Sequence, residues 1–383
     1  MLVADPVAVL AVLLVAVALS VWLGRLPYLR TVGGALIAIL IGATLANLGI
    51  IPTLNEMPRL YDPIFTEVTL GAIFLILLEV NLRAVKQAGT PMLFAFALGA
   101  VGTMLGVLAA SALLPNARAM LGEHFAGAGA MLTGTYIGGS ANFNLLAIEY
   151  GVVRNAGLFT AMVVVDNVMS AAWILATIAI PPLLGRSRRF PPKAFAAEAA
   201  DPPPPPLEGM MAVALPIAAA AAALVVSRGI AAFLGADVPL ILILTTLALL
   251  AAQLRSVARL SLSRPLGLFG LYLFLAAVGA SADLSALLTW GAMGAVLIGF
   301  IAIIFLVHSI VLFGGGAILK YDPDLVAIAS SANIGGATSA VALAEVRGRE
   351  DLLLPGLLAG TLGTASGTYA GFAIGSLLGA IFS

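Results

Sequence analysis

Cysteine is absent from this sequence, which excludes disulfides, thiolate metal sites and cysteine nucleophiles. Charge is scarce as well: Asp, Glu, Lys and Arg make up 9% of the residues, against 62% hydrophobic ones. The formal net charge is zero and there is no basic tract long enough to grip a phosphate backbone, so nucleic acid is not an expected partner. Only two histidines occur, His124 and His308. There is no paired-His metal motif, no phosphate loop ending in Lys-Ser/Thr and no Gly-x-Ser-x-Gly. The Ser/His, Ser/Lys or paired-Asp set of an intramembrane hydrolase is not evident either. The chain is therefore expected not to be an enzyme and to need no cofactor beyond an ion.

What is present is apolar. The mean hydropathy is +1.13, and several runs exceed the roughly 18 residues that mark a spanning helix. The expected class is an all-α polytopic membrane protein. Ten segments read as membrane helices: residues 6–23, 32–51, 64–80, 91–114 and 155–180, then 210–234, 238–252, 265–282, 291–318 and 352–381. The N-terminus lacks the positive region of a signal peptide, so the first run reads as a retained helix.

Between the fourth and fifth segments of each half lies a Gly-interrupted one, at about 125–150 and 325–345. The first carries Thr135, Gly138, Gly139, Ser140, Asn142 and Asn144. The second carries Ser330, Ser331, Asn333, Gly335, Gly336, Thr338 and Ser339. Superposing Ile137-Gly138-Gly139 on Ile334-Gly335-Gly336 also brings Gly151 onto Gly348, which reads as an internal duplication. Each arm beside the glycines has only about ten residues where a crossing needs about 20, so each segment is a re-entrant hairpin or a broken helix. Paired interruptions in corresponding places of two halves point to a transporter's binding site. Free carbonyls ending a first arm suit Na+, and free N–H groups starting a second arm suit a carboxylate. The thirteen residues named are the expected solute-binding set.

Charge favours hairpins. With five crossings per half, one side receives all 18 lysines and arginines except Arg59, Arg118, Arg154 and Arg228. That places both termini outside and makes the two halves inverted repeats, at 1–185 and 209–383. The linker between them, 186–208, holds Arg186, Arg188, Arg189, Lys193 and the run Pro202–Pro206, and reads as a stiff cytoplasmic spacer. Asp166 and Asn167 fall midway along the fifth segment. A charged Asp there costs roughly 2.5–3.5 kcal/mol, so Asp166 is expected to hold a coupling cation, Na+ being the candidate metal, or a proton. Glu79, with Asn81, and Glu67 read equally as snorkelling or site residues. His308 reads as a hydrogen-bonded core residue ahead of a relay. Gly363, Gly367, Gly371, Gly375 and Gly379 share one helical face and predict close helix packing.

Gly-Gly-Ser-Ala-Asn at 138–142, the Asp166-Asn167 pair and Ser-Ala-Asn-Ile-Gly-Gly at 331–336 resemble the DUF 819 family of bacterial and plastid membrane proteins, over nearly the whole chain. More remotely, the layout resembles glutamate:sodium symporters and 2-hydroxycarboxylate (citrate) symporters, within a superfamily that includes bile-acid symporters and cation/proton antiporters. That resemblance implies a homodimer in a bacterial inner membrane, working as an elevator with core and scaffold domains. It also implies a solute held between the hairpin tips. The expectation is a secondary transporter of a small, anionic organic solute (amino acid, small peptide or carboxylate) coupled to Na+ or H+. A monovalent cation/proton antiporter is the alternative, and an intramembrane enzyme or sensor the second alternative.

Overall fold

The computed structural model describes residues 2–26, 29, 34–54, 56–184, 206–235, 238–282 and 291–382. Among these, all regular structure is helical. In chain order the first half has α1 (Pro6–Leu23), α2 (Gly34–Asn47), α3 (Pro58–Pro63), α4 (Thr69–Leu77), α5 (Thr90–Leu113), α6 (Pro115–Leu121), α7 (Phe125–Gly138), α8 (Ser140–Glu149) and α9 (Ala156–Leu184). The second half has α10 (Gly209–Leu234), α11 (Leu240–Ala252), α12 (Ser263–Ala280), α13 (Gly291–Ile318), α14 (Pro323–Ile334), α15 (Gly336–Val346) and α16 (Leu353–Phe382).

Local chemistry sets several of these starts. Asp5 Oδ2 accepts the Ala8 N–H at 2.9 Å, with Pro6 at the first helical position. Asp322 and Pro323 open α14 in the same way, Asp322 Oδ1 accepting from Asp324 N at 2.8 Å. Pro63 has no N–H to continue the ladder of α3, and the chain passes through a π turn, Ile64–Val68, before α4.

Among the described residues, eight helical stretches are long and apolar enough to cross a membrane. The ten expected from sequence are reduced because α2 and α11 have 14 and 13 residues, about 20 Å at 1.5 Å per residue. Gly49, in left-handed conformation, turns the chain just beyond α2. Pro239 precedes α11, so that helix cannot begin earlier. The third expected segment starts earlier than its apolar run, because the π turn carries the helix through Pro63 back to Pro58.

The chain divides into two compact units, and each draws on both halves of the sequence. The first holds residues 2–79, 151–167 and 206–295 among those described; the second holds 80–150, 168–184 and 296–382. Within the first unit α2 and α12 meet backbone to backbone, since a Cβ on Gly42 or Gly279 would strike the carbonyl of Ala276 or Ile39. Phe274 anchors this unit's core, edge-on to Phe65 and Phe159. In the second unit, Met92, Phe96, Ile137, Leu312, Ile328 and Leu358 belong to one buried cluster contributed by α5, α7, α13, α14 and α16. The expected linker falls almost wholly outside the described residues; at its end, Leu207 N donates to Arg259 O at 3.1 Å.

Candidate functional site

Both Gly-interrupted segments are in the second unit, and each folds back on itself. Gly139 (φ 85°) separates α7 from α8, and Gly336 (φ 76°) opens α15 after α14. Only glycine takes such a φ without strain. These two glycines superpose at the offset that also pairs Gly151 (φ 67°) with Gly348 (φ 64°), both in left-handed turns beyond the second arms. The repeat seen in sequence is thus repeated in backbone conformation. Gly134 on α7 lies against Leu146 and Asn142 on α8, so these arms run side by side. In the second pair, Arg347 at the end of α15 meets Asp324 at the start of α14, Nε to Oδ1 at 2.7 Å.

Helix α16 carries both tips. A Cβ on Gly363 would strike the Ile137 carbonyl, and one on Gly138 the Gly363 carbonyl. One turn earlier, a Cβ on Gly360 would strike the backbone of Ala337, just past the second break. Three residues of helix advance about 4.5 Å, so the two tips reach α16 within one turn of each other. Gly367, Gly371 and Gly375 continue the first contact toward Asn142, Leu146 and Tyr150, whereas Gly379 has nothing within 4 Å.

The expected solute-binding residues sort into two groups. At the breaks, Ser140 and Thr338 are exposed, and Gly139, Gly335 and Ser339 are half-buried. Thr135, Gly138, Asn142, Asn144, Ser330, Ser331, Asn333 and Gly336 are buried. Asn142 has paired polar atoms: its Oδ1 accepts from Thr368 Oγ1 at 2.6 Å and its Nδ2 donates to Thr364 O at 3.4 Å. Asn144 Nδ2 donates to Ser140 O at 2.7 Å, and Asn333 Nδ2 donates to Phe96 O and Ala329 O at 3.1 and 3.0 Å. Carbonyls only accept, so both amide NH2 groups must face them. Asn144 Oδ1 and Asn333 Oδ1 are then buried acceptors without a protein partner, as is the Ser331 hydroxyl. Such atoms suit a cation or a solute that brings donors.

Asp166 and Asn167 fall in the first unit, half-buried on α9, with Asn167 Nδ2 donating to Val163 O at 2.8 Å. Glu79 pairs with Arg264 at 3.2 Å, and Glu67 with Arg228 at 2.6 Å. Both are half-exposed ion pairs. Asn81 Oδ1 accepts from Arg83 N and Ala84 N and so caps a short turn. His308 is fully buried, its ring nitrogens within hydrogen-bond distance of Gly99 O, Thr103 and Ser330. Among the described residues, no group of three or more His, Asp or Glu side chains converges as metal ligands would.

Some of the site was not expected. Thr368 and Thr364 hold Asn142, and their only signal was a place on the small-residue helix. Trp173 Nε1 donates to Ser330 at 3.0 Å, a contact across 157 residues of sequence. Arg349 contacts three carboxylates, Asp322 at 2.7 Å, Asp324 at 3.4 Å and Asp351 at 2.8 Å. Its hydrogen bond to Asp351, first, and the neighbouring Asp322 raise its pKa above the usual arginine range, so it stays cationic. Sequence reasoning had used it only as a positive charge.

The chain is 30% identical, over 374 residues, to a protein of Bacillus subtilis (strain 168) named "Uncharacterized membrane protein YjcL", covering 92% of this chain and 91% of the relative. Its apolar helices and this relative make it an integral membrane protein. The family described as "Protein of unknown function (DUF819)" matches residues 11–381, nearly the whole length over which both Gly-broken helix pairs are built, and the chain belongs to that family.

Proposed function

We propose that this protein is a secondary active transporter, not an enzyme, for a small anionic organic solute such as an amino acid, small peptide or carboxylate. The observation that carries the reading is the arrival of two Gly-broken helix tips at one turn of α16, Gly360–Gly363. Irregular backbone at membrane depth is tolerated only where protein buries it or a wet cavity is lined by it. The N-termini of α8 and α15 supply N–H groups and a positive dipole end for an anion. Ser140, Thr338 and Ser339, which are not buried, are the polar side chains for solute contact.

Coupling is to Na+ or H+. The unpartnered oxygens of Asn144, Ser331 and Asn333 suit a cation, and Asp166 is proposed as the acidic residue that carries a cation or proton. The unit compositions support an elevator-type cycle. One unit takes the first three helices of each half and the other takes both hairpins. On this reading the halves are inverted repeats, the tips are re-entrant, both termini are outside a bacterial inner membrane, and the protein is a homodimer. A cation/proton antiporter is the second reading, favoured by the orphan oxygens being acceptors.

The test is uptake into proteoliposomes under a Na+ or pH gradient, with labelled glutamate, citrate and dipeptides. The expected result is gradient-driven uptake of one solute class that Asp166→Asn abolishes. Cation-dependent proton flux with no organic uptake would install the antiporter reading. Absence of both fluxes in sealed vesicles would reject transport.

A further inference from the structure

Five residues of the second unit contribute to one hydrogen-bonded chain whose direction the chemistry fixes. His308 Nδ1 lies 2.9 Å from Gly99 O and 3.1 Å from Thr103 Oγ1. A carbonyl only accepts, so Nδ1 carries a proton; in the neutral ring that a fully buried site among uncharged groups favours, Nε2 is then bare. The bare Nε2, 3.0 Å from Ser330 Oγ, must then accept the Ser330 hydroxyl proton. Ser330 Oγ in turn accepts from Trp173 Nε1–H at 3.0 Å, since an indole N–H only donates. At the other end, Thr103 Oγ1 donates to Tyr136 O at 3.3 Å and accepts a share of the one Nδ1–H, in a three-centre bond with Gly99 O. Every bond thus points the same way, from Trp173 through Ser330, His308 and Thr103 to the Tyr136 carbonyl.

The ends of this chain matter. Ser330 belongs to α14, the first arm of the second hairpin, and Tyr136 belongs to the last turn of α7, the first arm of the first hairpin. The chain joins the two arms through His308 on α13 and Thr103 on α5. The sequence makes room for it: a Cβ on Gly99 would sit 3.0 Å from His308 Cε1, and one on Gly102 would sit 2.9 Å from His308 Cα. Thr103, His308 and Ser330 are fully buried, so water cannot substitute for a missing link at low cost.

We propose that His308, as its Nδ1–H tautomer, is a positioning residue that couples the two hairpins, so that a disturbance at either arm is felt at the other. Like-directed bonds polarise one another, and reversing one link reverses or breaks the rest. The other tautomer would set a bare Nδ1 against the Gly99 carbonyl. Among the described residues, the hydrogen-bond and ring partners of the imidazole (Gly99, Thr103, Trp173 and Ser330) carry no charge.

This coupling does not rest on the transport reading, and its test uses the purified full-length protein without any solute. Because the chain has two histidines, His124→Gln leaves His308 as the only imidazole. 15N-histidine NMR of that variant should show a single Nδ1–H tautomer, and Trp173→Phe should shift its Nε2 resonance through Ser330. Melting temperatures then complete a cycle between Trp173→Phe and Thr103→Val, which sit at opposite ends of the chain. The double variant should lose less than the two single losses combined, and in a His308→Gln background the losses should add. An Nε2–H tautomer, or additive losses with His308 intact, would overturn the proposal. If His308→Gln does not fold, the tautomer and the cycle with His308 intact still decide it.

Discussion

The two hairpins share a plan and differ in what holds them. The first lies along α16, with Gly363, Gly367, Gly371 and Gly375 letting its backbone and its buried Asn142 come close. Its hold is steric contact plus hydrogen bonds that join Asn142 to Thr368 and Thr364 and Tyr150 to Phe372 O. The second also packs on α16, through Gly360 near its tip and Gly356 against Ile328 and Ala340, and is fastened at its base by Arg347 and Arg349 against Asp322, Asp324 and Asp351. Each hairpin keeps buried oxygens without protein partners, Asn144 Oδ1 in the first and those of Ser331 and Asn333 in the second. Packing is insensitive to salt and intolerant of added volume, whereas ion pairs show the reverse pattern. The first hairpin, held by packing and hydrogen bonds, is therefore the wall of the proposed site expected to be insensitive to salt. The second, latched by charge at its base, is the wall expected to respond to salt.

The sharpest way to break this contrast is to add volume to α16. Gly363→Val would drive side-chain atoms into the Ile137 carbonyl, which cannot rotate away. It should destabilise by about 3 kcal/mol or prevent folding, measured as thermal unfolding in detergent. Gly379→Val, which meets nothing within 4 Å, should leave the melting temperature unchanged. Equal effects at the two positions would mean that α16 is not the ridge for the first hairpin. Next comes the latch. Its side chains are 15–20% exposed at Arg349, Asp322 and Asp351, so Arg349→Ala should cost about 2–3 kcal/mol, between a buried pair and a surface one. The loss should shrink in high salt, and a loss independent of salt would count against a charge latch.

Smaller effects sharpen the comparison. Asn142→Ala leaves the buried Thr368 hydroxyl without its acceptor and should cost about 2 kcal/mol at any salt concentration. Ser331→Ala removes a hydroxyl that bonds to nothing in the protein and should change stability by less than about 0.5 kcal/mol. It should, however, reduce any stabilisation by Na+ seen in the parent, read as the shift in melting temperature with added NaCl. A large loss of intrinsic stability at Ser331 would show that its oxygen is not in reserve.

Much of this was legible in the chain because it is local. The breaks fall at the glycines that interrupt each apolar run, and the Gly151–Gly348 match in sequence reappears as matching left-handed turns. The face of α16 shows in its four-residue spacing. What was not legible depends on distant partners. Nothing near Arg349 in sequence says that it reaches Asp322 as well as its neighbour Asp351. Asn142 and Ser140 look alike as polar tip residues, yet one is buried against Thr368 and the other is exposed, a difference set by a helix more than 200 positions away. The length of α2 was overestimated because hydropathy continues past Gly49 while the backbone does not. His308 was read as a hydrogen-bonded core residue and is one, but its partners on α5 and α14 could not be named from a lone histidine.

The central claim is that the two tips face one solute. The absence of cysteine makes the test direct, because Ser140→Cys and Thr338→Cys each introduce the only thiol in the protein. The measurement is the rate of maleimide labelling of each variant in membranes, with Na+ alone and with Na+ plus the solute that gives uptake. The account predicts that the same solute slows labelling at both positions over the same concentration range. Protection of one tip only, or of neither while uptake persists, would contradict a site shared by the two hairpins.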